Sequence, residues 1–170
     1  MDLRAAFVLL SSLLLAAPAG AQAQAPEEAS RPDAFLDALT GDWIMTGQVR
    51  GDSVRYDANA RWVLGGQFLR LRMTDVNDPP QYAAHVYVGY DSTAQRYVAH
   101  WLDTTGPGAS TTLGTGDRNG DALTLRFDYP DGPFRTTFEQ RAEATWRVRM
   151  RSRSESGTWQ PFADYTMRRQ

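Results

Sequence analysis

The chain of 170 residues contains no cysteine. That absence excludes disulfides, a thiolate nucleophile and any cysteine metal site, so packing alone must hold the fold. Lysine is missing as well: all 18 basic residues are arginine. Histidine occurs twice, at positions 85 and 100, which is thin material for a metal centre. Nothing after residue 40 has the apolar periodicity of a long amphipathic helix, and no apolar run is long enough to span a bilayer. A net charge of −2 gives no general attraction to nucleic acid, and none is expected as a partner. Catalytic signatures are also missing: there is no G-x-S-x-G elbow, no phosphate loop and no H-E-x-x-H. No catalytic residue is assigned.

What is present begins with a short apolar stretch, Ala5 to Ala17, behind Arg4 and ahead of small residues at A-x-A spacing from Ala19 to Ala25. This is the pattern of a secretory signal peptide with its cleavage region, residues 1–25, and it predicts export to the periplasm or the medium. Residues 26–32 read as a flexible leader, and 33–170 as one domain. Ser30 is expected to cap a short helix that carries Phe35, Leu36 and Leu39 on one face and stops at Gly41.

From Asp42 onward the period changes to two, and turn signals recur about every ten residues. Ten strands are expected, near 42–50, 56–64, 67–75, 82–90, 96–103, 109–117, 122–129, 134–141, 145–153 and 159–168. Most have one wet face, as where Trp146, Val148 and Met150 alternate with Arg147, Arg149, Arg151 and Arg153. Without a helix to cover a sheet, closure buries the apolar sides together and removes both edges. The expectation is an all-β, antiparallel up-and-down barrel of about ten strands, with a two-sheet sandwich as the alternative.

A short helix, then Gly41-Asp42-Trp43 opening the first strand, then basic residues on the last strand, resembles the calycin superfamily of lipocalins, fatty-acid-binding proteins and avidins. The segments Trp62 to Phe68, Gly89-Tyr90-Asp91 and Tyr97 to Asp103 make the chain look like an exported member of an uncharacterised bacterial lipocalin-like family. It departs from lipocalins in lacking a C-terminal helix and a disulfide, and in its strand number. The resemblance implies that Arg168 or Arg169 lies across Trp43 in a cation-π contact that closes the barrel. It implies no established activity.

Pairing the fourth and fifth strands through the turn at Ser92 to Gln95 sets Asp91 opposite Arg96 and Tyr87 opposite His100, with His85 diagonal to His100. Tyr97, Ala99 and Trp101 then share the more apolar face. Two arrangements are open: the histidines face solvent, or His100 enters the interior as a polar contact. Haem held by His85 or His100 is a further alternative, and no cofactor is otherwise expected.

The function expected is that of a monomeric barrel enclosing a small hydrophobic molecule, lined by Trp62, Tyr97, Trp101, Phe127, Phe138 and Met150 with His100 as the polar contact. One competing reading is a filled barrel that acts through the arginine row Arg147 to Arg153 as an envelope interaction module. A small hydrolase or isomerase is the third.

Overall fold

The computed structural model describes residues 33–170. The expected signal peptide and leader lie outside the described residues, and the helix expected to be capped by Ser30 instead starts later, with Asp33 as its cap. Helix α1 (Ala34–Ala38) is capped by Asp33, whose carboxylate accepts from the Leu36 amide at 2.9 Å.

Ten strands follow: β1 (Gly41–Val49), β2 (Asp52–Val63), β3 (Phe68–Asp75), β4 (Ala83–Asp91), β5 (Arg96–Asp103), β6 (Leu113–Asn119), β7 (Ala122–Tyr129), β8 (Gly132–Ala142), β9 (Thr145–Arg153) and β10 (Trp159–Arg169). Each pairs antiparallel with its sequence neighbour, and β10 pairs with β1, so the barrel is closed and no edge is left open. The sandwich alternative is thereby excluded. Most boundaries fall within a residue or two of those expected. Two starts depart by four residues: β2 begins at Asp52 rather than 56, and β6 starts only at Leu113, because Pro107–Ala109 forms a turn of 3₁₀ helix led by Gly106 at φ 99°.

Alternation sorts the side chains by face, and the meander gives the barrel two unlike ends. Strands β1, β3, β5, β7 and β9 start at the end where α1 lies. That end is packed solid: Phe35, Leu36 and Leu39 of the helix meet Trp43, Leu69, Leu123, Phe138, Trp146 and Met167, all of them buried. Phe35 meets Trp146 edge to face at 5.1 Å. The Trp43 indole donates to the Leu39 carbonyl at 2.9 Å, tying the helix to the first strand.

The closure contact belongs to Arg169. Its guanidinium carbon lies 4.4 Å from the centre of the Trp43 ring, and its Nη1 donates to the Thr40 carbonyl at 2.8 Å. Arg168 pairs in register with Ile44 and points outward, exposed. Two adjacent arginines on one strand face opposite ways, so only one could serve.

Candidate functional site

The opposite end is hollow. A cavity of about 1090 Å³ opens between the inward faces of the strands and the loops that join them there. Its walls are aromatic. On one side the Tyr56 ring stands between Tyr82 and Tyr165, 5.9 Å from each and inclined to them by 59° and 72°. On the other, Phe127 stacks on Tyr129 at 5.6 Å, Tyr129 meets Phe134 at 5.8 Å, and Phe134 meets Phe162 at 5.0 Å. Arg50, in the β1–β2 turn, lays its guanidinium over Phe162 at 5.0 Å and closes this row at the rim.

Polar groups gather at the mouth, among them Asp52, Asp75, Asn77, Gln81, Asp103 and Asp131. The Trp101 indole donates to the Tyr82 hydroxyl at 3.1 Å, and that hydroxyl donates to Asp103 Oδ2 at 3.0 Å. Asp103 Oδ1 accepts from the Thr105 amide at 2.9 Å, which fixes the carboxylate at the mouth. Asp75 is held in the same way by Asn77 and Gln81, and its hydrogen bonds from Asn77 keep its pKa below the usual carboxylate value. Thr136 lines the cavity on β8 and is 1% exposed, yet its Oγ1 has no hydrogen-bond partner. An unpaired buried hydroxyl costs stability unless something answers it.

Burial raises the pKa of every tyrosine around the cavity. Tyr129 is pushed up to about 12 by desolvation and then by Asp103. Tyr56, Tyr82 and Tyr165 move in the same direction, also chiefly by desolvation. All four hydroxyls are protonated donors at neutral pH.

Of the seven residues read as ligand-binding, Trp101, Phe127 and Met150 line this cavity. The other four lie elsewhere. Tyr97 donates to Asp33 at 2.8 Å, and Trp62 donates to Asp37 at 2.9 Å, so both serve the helix end. Phe138 is buried in the packed half at 2% exposure. His100 sits on the outer face, where its Nε2 is 2.6 Å from the Ser110 carbonyl oxygen.

The expected β4–β5 register is the one observed, with Asp91 opposite Arg96 and Tyr87 opposite His100. His85 therefore also faces out, its ring 6.5 Å from that of Tyr87. Its pKa is lowered by burial and then by Arg70 and Arg72 on the neighbouring strand. Among the described residues, no three His, Asp or Glu side chains cluster so as to hold a metal ion.

The cavity residues that alternation did not single out include Tyr56, Tyr129, Thr136, Phe162 and Tyr165. A signal existed for Thr136: it is the lone polar position between Phe134 and Phe138 on an inward face. The β4–β5 register puts Tyr82 on the same face as Trp101, and it enters the cavity there, one residue ahead of β4.

The arginine row lies on the outer face of β9. Arg147 is paired with Asp164, and Arg149 donates to Glu139 at 2.9 Å. Arg153 donates to the Gly157 carbonyl at 2.9 Å. Much of the row is thus engaged with its own barrel, in pairs of the kind that contribute little individually.

Fold and cavity together define a closed, ten-stranded antiparallel β-barrel, plugged at one end and hollow at the other. The chain belongs to the family described as "Protein of unknown function (DUF1579)", whose model matches residues 28–169. Among curated proteins none matches. Of solved structures, one described as the crystal structure of Rv2717c from M. tuberculosis aligns with a TM-score of 0.55 at 14% identity, covering 82% of this chain and 99% of that one. That likeness concerns the fold alone. A redesigned beta barrel, b11L5F_LGL, aligns with a TM-score of 0.36 at 11% identity, over 80% of this chain and 95% of that one. Among the described residues, no helix is long and apolar enough to cross a membrane.

Proposed function

We propose that the protein binds a small, largely apolar molecule in the hollow end of its barrel, in the manner of a lipocalin-like carrier. The observation that carries this reading is the cavity of about 1090 Å³ itself, walled by Tyr56, Tyr82, Trp101, Phe127, Tyr129 and Phe134. A barrel that needed only to be stable would fill that space. Here the interior is filled at one end and lined by aromatic side chains at the other, and largely apolar clefts of this size suit small organic ligands. Binding would rest on burial of the ligand's apolar surface, with one or two hydrogen bonds to orient it. The signal-like N-terminus supports action outside the cytoplasm, and the reading takes the barrel as a monomer that holds one ligand.

Native mass spectrometry of the protein purified from its own source tests this, with an absorbance scan alongside. A copurifying small-molecule mass is expected. An empty protein that also takes up no apolar probe in solution would overturn the reading.

A further inference from the structure

The charges on the inner wall have one sign. Asp103 follows Trp101 by two positions on β5 and Asp75 follows Met73 by two on β3, so both carboxylates point to the inner face at the mouth. The rim adds Asp52 and Asp131. Two cations border the same space. Arg55 lies between the inward Val54 and Tyr56 and projects outward, while Arg50 stays at the rim, in the β1–β2 turn, with its guanidinium committed to Phe162.

The rest of the wall fits the same sign. The Tyr56 ring is inclined to both Tyr82 and Tyr165 rather than stacked on them, and it is the electron-rich faces of such rings that attract a cation. Trp101 adjoins them through its bond to Tyr82. Asp103 supplies an oxygen acceptor at the cavity, whereas the unpartnered Thr136 Oγ1 is sealed within the same wall. Aromatic faces beside a carboxylate make the environment that recognises organic ammonium groups, through cation-π attraction and charge-assisted hydrogen bonds.

From this arrangement we infer that the cavity selects its ligand by charge, taking an apolar molecule with a cationic amine head and rejecting the matching carboxylate. The inference rests on the binding reading above and deepens it. The apolar body lies against Phe127, Phe134 and Met150, and the amine sits among the tyrosines with Asp103 as its counter-charge. A bound carboxylate would instead meet Asp103 and Asp75 at the mouth, where like charges repel.

The test uses three probes with one apolar body: naphthylmethylamine, naphthylmethanol and naphthylacetate, titrated against the full chain at neutral pH and low salt with tryptophan fluorescence as the readout. The amine is expected to bind about tenfold or more tighter than the carboxylate, with the alcohol between them. Asp103→Asn should narrow the gap between amine and alcohol, with circular dichroism as the check on folding. Naphthylacetate binding as tightly as the amine would overturn charge selection and leave the cavity reading standing. Failure of all three to bind would overturn both. A folded Asp103→Asn variant with an unchanged gap would overturn the assignment to Asp103, and the wild-type comparison decides charge selection even if that variant does not fold.

Discussion

Arg169 lies across Trp43, 4.4 Å from the ring centre, and joins the last strand to the first at the plugged end of the barrel. The same guanidinium donates to the Thr40 carbonyl and so also holds the segment between helix and strand. Removing it should cost stability and leave binding untouched, because the cavity is at the other end. Arg169→Ala is expected to destabilise by about 1–2 kcal/mol, and Arg168→Ala, on the exposed face, by less than about 0.5 kcal/mol. Urea unfolding of the two variants checks this, and equal losses would contradict the assignment.

Much of this fold was legible in the sequence because strand alternation and hairpin spacing are local signals. The β4–β5 pairing followed from one turn, and closure from the lack of any helix to cover a sheet. The Trp43–arginine contact followed from a resemblance, and the choice between Arg168 and Arg169 needed the β1–β10 register. The cavity was less legible. Alternation shows that Tyr97, Trp101, Phe127 and Phe138 face inward, but it does not show at which height along the barrel packing ends and space begins. That depends on α1, which plugs one end and draws Tyr97 and Trp62 into hydrogen bonds with Asp33 and Asp37. His100 shows a different limit: its face was derivable from register, while its partner, the Ser110 carbonyl, comes from an irregular loop.

Thr136 separates stability from binding. Thr136→Val removes a buried hydroxyl without a partner and should leave the free protein as stable or more stable, by up to about 1 kcal/mol. The same change should leave binding of the amine probe within about twofold, because the hydroxyl is sealed in the wall and no ligand atom reaches it. Thermal unfolding and probe titration on one preparation check both. A loss of stability would show that the hydroxyl serves the fold.

The tyrosines set the behaviour in alkali. Tyr97 and Tyr129 are each pushed up to about 12, and Tyr56, Tyr82 and Tyr165 are raised as well, from an ordinary value of 10.0. Above the ordinary value the unfolded chain loses these protons while the folded chain keeps them, so the unfolded state binds fewer protons and stability falls as pH rises. The contribution is fully present below about pH 10 and is lost on passing upward through the raised values. The unfolding midpoint should therefore drop steeply above about pH 10, and absorbance titration should show five of the seven tyrosines ionising late or only with unfolding. A titration with all seven ionising together near the ordinary value would contradict the burial described.

The proposed ligand enters the hollow end of the barrel rather than settling on its arginine-rich outer face. Five tryptophans give five indole N–H signals in a nitrogen–proton correlation spectrum, and they report different places. Trp101 is at the cavity, Trp43 and Trp146 are in the packed half, Trp62 is beside the helix, and Trp159 lies outside under Arg135 at 4.4 Å. On addition of naphthylmethylamine, the Trp101 indole and the Thr136 amide should shift with saturation at one equivalent, while Trp43, Trp146 and Trp159 stay in place. Shifts confined to Trp159 and the arginine row, with Trp101 unmoved, would contradict the account.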